Sequence, residues 1–369
     1  MPRPNDHINV LMMPTDACNM DCVYCFHRAH RSSCEAMDLS VVEQVLKIAA
    51  PSYRQINFVW HGGEPLLMGL DFYRDVVALQ GQWPSTRIKN SVQSNLTLMT
   101  EEYAMFFSEH HFRVSGSYDG VRNELTRGCS AEILEGRRKI LESGKSCGFI
   151  MVLSRKNMDS LSESYRMFKR MGINFSLNLY VDQRDHSNPD LRLEAGDAVE
   201  RLNSLFDEWA LDANGTISIS YFRHILDFLI GGRKSLCTYT SCMGRWIGVR
   251  HNGEIVPCNR YFPPQYSFGN VFDYTDIGQA FYSPGFQALI RQAIVRREAC
   301  KTCELFPFCS GGCNNTAYNE NGIDQNGGLS CQVLQGVYTH IQKFLREMDT
   351  SGGIRYNPVL LRYFKKTPS

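Results

Sequence analysis

The sequence predicts an α/β fold: an open, partial barrel of parallel strands followed by a loop-rich, cysteine-dense extension. Three observations lead there. Residues 7–180 alternate strand-like and helix-like periodicity in six successive units. Several of those strands run into polar or glycine-rich turns. From Cys237 onward regular periodicity fades, Gly and Pro rise, and cysteines crowd together, as in a small region held by metal.

Strands are predicted at His7–Met13, Gln55–Trp60, Ile88–Ser94, Phe112–Ser117, Phe149–Leu153 and Phe175–Tyr180. Helical spacing falls between them at Leu39–Ala50, Phe72–Gln80, Glu101–His110, Ala131–Ser143 and Ser160–Met171. Six βα units are too few to close an eight-stranded barrel, so a partial (β/α)6 TIM-like barrel is expected, with its site at the C-terminal strand ends. Those ends carry Cys18-Asn-Met-Asp-Cys22-Val-Tyr-Cys25, His61-Gly62-Gly63-Glu64-Pro65, Gln93-Ser94-Asn95 and Ser117-Tyr-Asp119-Gly120. The expected division is a barrel over 1–195, a helical bridge over 196–234, the cysteine-rich domain over 235–340 and a tail over 341–369.

Composition narrows the class. The chain has 369 residues, 43% of them hydrophobic, enough for a sizeable core. Its 39 basic and 38 acidic residues leave a formal net charge of +1, which advertises no polyanion, so no nucleic-acid partner is expected. No signal peptide and no apolar run of membrane-spanning length is present, so a cytoplasmic protein without a membrane partner is expected. Fourteen cysteines in such a chain point to metal or redox chemistry rather than disulfides.

Cys18-x3-Cys22-x2-Cys25 places three thiols on one loop. A cubane [4Fe–4S] cluster usually takes four cysteines, so three leave one iron open for a ligand. A zinc site or a set of buried thiols is the alternative. Together with Gly62-Gly63-Glu64-Pro65 in the second loop, the arrangement resembles the radical S-adenosylmethionine (SAM) superfamily. That resemblance implies that SAM chelates the open iron and is cleaved reductively to a 5′-deoxyadenosyl radical, which abstracts hydrogen from substrate. It also implies SAM contacts from Tyr24 at the adenine, from Gly62, Gly63 and Glu64 at the amino group, and from Gln93, Asn95 and Ser117 at the sugar and methionine portions. Arg127 is the expected partner of the SAM carboxylate.

Downstream run Cys242-x10-Gly253-x4-Cys258, then Cys300-x2-Cys303-x5-Cys309-x3-Cys313, then Cys331. This resembles the seven-cysteine SPASM extension of peptide-modifying radical SAM enzymes; zinc is the alternative here too. With Cys237 added there are eight ligands for two closed clusters. The family pattern implies a nearer cluster on Cys237, Cys242, Cys258 and Cys313, and a farther one on Cys300, Cys303, Cys309 and Cys331. The fold implied is thus a radical SAM partial barrel with an iron–sulfur-bearing SPASM extension. Cys147 reads as a buried apolar thiol, whereas Cys34 and Cys129 sit on loops within reach of the site. For His27 and His61, beside the catalytic loops, turn packing is an equal explanation.

The resemblance extends over nearly the whole chain to anaerobic sulfatase-maturating enzymes and ribosomal-peptide maturases. They imply a peptide substrate, a flavodoxin- or ferredoxin-type reductant, and auxiliary clusters that take an electron from the substrate radical. One departure matters. Sulfatase-maturing relatives carry an acidic residue, thought to act as base, directly after the cysteine corresponding to Cys258. Here the run is Val256-Pro257-Cys258-Asn259-Arg260-Tyr261, and an amide cannot accept a proton as a carboxylate does. Asn259 and Tyr261 are the candidate catalytic residues of that loop, Asn259 as a hydrogen-bonding group for the substrate backbone.

The leading expectation is therefore oxidative cross-linking of a peptide, carbon to carbon as in a cyclophane or carbon to sulfur as in a thioether. Sulfatase maturation and SAM-dependent small-molecule dehydrogenation follow. A mere electron carrier would not need the open iron. The 38 residues after Cys331 leave no room for an appended leader-recognition domain, so leader binding is expected on the core surface or a separate protein.

Overall fold

The computed structural model describes residues 7–27, 35–184, 188–240, 242–260, 262–348 and 354–364. Tyr261 and Cys34 therefore lie outside the described residues. The chain divides into two compact units, one of Met1–Ser117, Cys129–Cys147 and Ser241–Ile294, the other of Tyr118–Gly128, Gly148–Thr240 and Val295–Ser369.

The first unit is built on a mostly parallel sheet. Its strands are β1 (His7–Met13), β2 (Gln55–Trp60), β3 (Arg87–Gln93), β4 (Arg113–Ser117), β7 (Trp246–Arg250) and β8 (Ile255–Val256). β1 pairs in parallel with β2 on one side and β7 on the other; β3 joins β2, β4 joins β3, and β8 returns antiparallel to β7. Strict alternation explains β2: Ile56, Phe58 and Trp60 are fully buried, while Gln55, Asn57 and Val59 are half-buried on the opposite face. That second face is polar where β1 and β2 meet, with the Asn57 amide donating to Asn9 Oδ1 at 2.9 Å.

Helices pack against the apolar face. α1 (Leu39–Ala49) starts where Asp38 accepts the Ser40 N–H at 2.8 Å, and it buries Val41, Val42, Val45, Leu46 and Ile48 along one stripe. Each such side chain contributes roughly 1.5–3 kcal/mol. α2 (Leu70–Gln80) and α3 (Glu101–Glu109) follow β2 and β3, and α4 (Ser130–Glu142) belongs to the same unit. Trp60, Tyr73, Phe107 and Phe112 form the centre of this core, Tyr73 standing edge-on to the other three at 5.4–6.2 Å.

The second unit contains β5 (Phe149–Leu153) parallel to β6 (Phe175–Leu179), separated by α5 (Leu161–Arg170). It also contains α6 (Ala195–Ala210) and α7 (Ser220–Gly231). Beyond Cys237 there is more regular structure than the sequence pattern shows: β7 and β8, α8 (Pro284–Cys300), α9 (Leu329–Glu347) and α10 (Pro358–Phe364). α9 lies close on α6 because Gly336 has no side chain; a Cβ there would sit 2.6 Å from a Val199 methyl. Phe206, Trp209, Phe222 and Phe344 fill the space around that crossing. Among the described residues, no helix is long and apolar enough to cross a membrane.

Candidate active site

The site grows out of the upper end of β1. Beyond the strands the β1–β2 pairing continues into the loops, with His61 N donating to Met12 O at 2.9 Å, Gly63 N to Thr15 O at 2.9 Å and Glu64 N to Ala17 O at 2.8 Å. The Gly-Gly turn is thereby laid directly on the chain entering Cys18. Glycine is required at both positions. Gly62 has φ +111, and a Cβ on Gly63 would fall 2.0 Å from Ala17 O.

Glu64 is 1% exposed and ties three loops together. Its carboxylate accepts from Leu66 N at 3.0 Å, Ser94 Oγ at 2.8 Å and Asn95 N at 2.7 Å. Asn95 reaches onward: its amide donates to Asn19 Oδ1 at 2.9 Å and lies 3.9 Å from Cys18 Sγ, and its Oδ1 accepts from Thr97. Asn19 closes the ring by donating to Thr97 Oγ1 at 2.7 Å. Gln93 and Ser117 also meet, Gln93 Nε2 donating to Ser117 Oγ at 2.9 Å while its Oε1 accepts from Ser115 Oγ at 2.6 Å.

The first unit therefore joins Glu64 and Asn95 to the Cys18 loop, and Gln93 to Ser117. Arg127 is in the second unit, capping a helical turn over Asn123–Thr126. Asp119, also there, accepts from Val152 N at 2.9 Å and Thr126 Oγ1 at 2.7 Å.

Cys22 is buried, and Cys18 and Cys25 are half-buried, all three without a disulfide. The Cys25 N–H bonds back to Cys22 O at 3.1 Å, which turns the loop between them. A cubane takes each thiolate at a different iron. Three thiols on one loop fit that group.

Behind the loop, Asp16 lies 3.6 Å from His251 and 3.9 Å from His27. His61 is half-buried, and its pKa is pushed down to about 4, first by desolvation and then by the nearby Arg260 cation; its Nδ1 accepts the Gly62 N–H at 2.7 Å. Arg260 thus brings the Cys258–Arg260 segment within electrostatic reach of the Gly-Gly turn. On that segment, Cys258 Sγ is 3.1 Å from Asn259 Oδ1.

Cys242 sits at the turn into β7 and Cys258 just after β8, both half-buried in the first unit. The second unit holds Cys237, Cys300, Cys303, Cys309, Cys313 and Cys331. Of these, Cys309 and Cys331 are each raised above an ordinary thiol, first by burial and also by Cys300 and Cys303. Cys147 is 3% exposed, its pKa pushed up to about 12 by burial, as an inert core thiol should be, while Cys129 is exposed at the start of α4.

His224 in the second unit is also held neutral, down to about 4, by burial and then by Arg223. An unfolded histidine titrates near 6.5. Below that pH the unfolded chain binds protons that the folded chain refuses, so stability is lost as pH falls from 6.5 towards 4. Unfolding midpoints measured against pH should fall less steeply over this window in His61→Gln and His224→Gln than in the wild type.

Residues 12–168 match the radical SAM superfamily and residues 237–304 match SPASM, an iron–sulfur cluster-binding domain. The chain is a radical SAM enzyme with a SPASM domain, and its cofactors are SAM and iron–sulfur clusters. It is similar to the cysteine-type anaerobic sulfatase-maturating enzyme of Clostridium perfringens (strain 13 / Type A), 27% identical across 90% of this chain and 96% of that one. A solved structure of native anSMEcpe with AdoMet and the Cp18Cys peptide superposes with a TM-score of 0.81 at 25% identity, covering 92% of this chain and 98% of that one. Streptococcus suis SuiB, bound to its precursor peptide SuiA, shares the fold at a TM-score of 0.64 and 18% identity, over 88% of this chain and 76% of that one.

Proposed function

We propose that this enzyme oxidatively modifies a peptide and forms a cross-link within it, carbon to carbon or carbon to sulfur. The observation that carries the reading is Asn259, whose side chain lies against Cys258 Sγ. A carboxylate there would be a base for the substrate; an amide is not. Were Cys258 to hold iron as a thiolate, the Asn259 amide, turned over, would donate N–H to its sulfur, which a carboxylate cannot do. The substrate proton must then leave to another acceptor or to water.

The remaining roles follow the residues. Cys18, Cys22 and Cys25 would hold the SAM-binding cluster, and the cofactor when bound supplies a 5′-deoxyadenosyl radical. The backbone of Gly62 and Gly63, held on the Cys18 loop by Glu64, would receive the amino group. Tyr24, Gln93, Asn95, Ser117 and Arg127 would border the rest of SAM. Two auxiliary clusters would take the eight remaining ligand cysteines, Cys237 included, and a flavodoxin- or ferredoxin-type protein in a cytoplasm poor in oxygen would supply electrons.

For the farther cluster, Cys303→Ala should lower iron by about four per chain and destabilise the second unit; unchanged iron content would contradict the assignment.

Sulfatase maturation is the second reading, supported by similarity over 90% of the chain to the Clostridium enzyme. Mass spectrometry after anaerobic incubation with reconstituted enzyme, SAM and reductant separates the two. One substrate set carries the sulfatase Cys/Ser motif and another is a short peptide encoded beside the gene. Loss of two hydrogens from the second, with the first unchanged, supports cross-linking. Conversion of the sulfatase motif to formylglycine refutes it.

A further inference from the structure

The turn that carries Cys309 is ringed by cations. Phe306–Cys309 form one helical turn, and Ser310, Gly311 and Gly312 follow at φ of 52°, 85° and 75°. That course turns several oxygens away from any helical partner, and three basic side chains take them up. Lys234 Nζ donates to Pro307 O at 2.9 Å and Ser310 Oγ at 2.6 Å. Arg297 Nε donates to Ser310 O at 2.9 Å. Arg296, 1% exposed, donates to Gly311 O at 2.9 Å, to Asn314 Oδ1 at 2.6 Å and to Ile323 O. Against these stands Glu320, near enough to act on Cys331 and bonded to Ser330 N at 2.9 Å and Oγ at 2.7 Å.

The ringed segment is where the two auxiliary sites come closest in sequence, with Cys309 at one end and Cys313 at the other. Reduction adds a negative charge to a cluster, and net charge and hydrogen bonding around it are the protein's means of setting its potential. A buried guanidinium acts more strongly than an exposed one, because little solvent screens it. Three cations converging on one ligand turn therefore favour the reduced cluster.

We propose that Lys234, Arg296 and Arg297 raise the reduction potential of the auxiliary cluster on Cys300, Cys303, Cys309 and Cys331, making it the preferred resting place for an electron withdrawn from substrate. The inference rests on the ligand assignment proposed above. These are positioning residues, and a purely structural role would hold the loop without moving the potential.

The test uses the full-length chain carrying Cys18→Ala, Cys22→Ala and Cys25→Ala, so that only auxiliary clusters are read. Iron content and a mediator titration followed by electron paramagnetic resonance are measured for this parent and for Lys234→Gln and Arg296→Gln. Each substitution should lower the potential so that the reduction equilibrium shifts about tenfold, about 59 mV for a one-electron couple. Lys234→Arg and Arg296→Lys, which keep the charge, should stay near the parent. Should Arg296→Gln fail to load iron, half-exposed Lys234 decides alone. Full iron with unchanged potentials in the Gln variants overturns the proposal. A parent without auxiliary iron sinks the ligand assignment itself, and the inference with it.

Discussion

Cys22→Ala should abolish SAM cleavage while leaving the auxiliary iron in place. Cys22 is the most buried thiol of the first loop, at 5% exposure, and its carbonyl accepts the Cys25 N–H, so the substitution takes the middle thiol, a proposed cluster ligand, from the loop. Two thiolates cannot hold a cubane that offers its open iron to SAM. 5′-Deoxyadenosine formation should fall to background, a loss of at least about a thousandfold on the scale of catalytic groups that act as a unit. Iron should fall only from about twelve to about eight atoms per chain, since the other cysteines do not share that loop. Substantial 5′-deoxyadenosine from this variant would remove the central claim.

Gly63→Ala should be nearly as damaging without touching a ligand. The new methyl would lie 2.0 Å from Ala17 O and 2.7 Å from both Ala17 C and Asp16 O, all backbone atoms that cannot swing away. The loop must separate from the cysteine loop, which breaks the Gly63–Thr15 and Glu64–Ala17 hydrogen bonds. Overpacking of this kind costs about 1–3 kcal/mol, and Glu64 is dragged off Ser94 and Asn95 with it. Denaturant unfolding should show the loss, and reconstituted protein should bind SAM and its cluster poorly. Wild-type loading and stability would show that the two loops are not braced this way.

The barrel portion was legible because each element states its own case locally. β1, β2 and β5 run over the residues their periodicity predicts, and β3, β4 and β6 differ by one residue at one or both ends. β7 was not legible: Trp246–Arg250 contains Gly248 and stands between a cysteine turn and Gly253, and it is a strand because β1 offers a vacant edge. α9 shows helical spacing at Val333, Leu334, Val337, Tyr338 and Ile341, but the density of cysteines around it spoke for loops.

The site divides in the same way. The cysteine spacing and the Gly-Gly-Glu-Pro run are contiguous motifs that can be read from a string. Ser94 lay inside a quoted motif, yet its bond to Glu64 depends on two loops meeting. Asn19, Thr97 and His251 act through partners 76 to 235 residues away, which no local pattern announces.

The parallel pairing of β1 with β7 sets a timetable. Asn9 and the chain at Arg245 that it bonds are 236 residues apart. At about 5–20 residues per second of synthesis, roughly 10–50 s pass between the emergence of the two. Throughout that wait β1 has a partner on one side and a bare row of amides and carbonyls on the other, the kind of edge that recruits foreign strands. Cys18, Cys22 and Cys25 are out early, yet the sheet beneath them is finished only when the cysteine-rich extension arrives. Completion of the sheet under the first cysteine loop is thus bound to the birth of the last third of the chain.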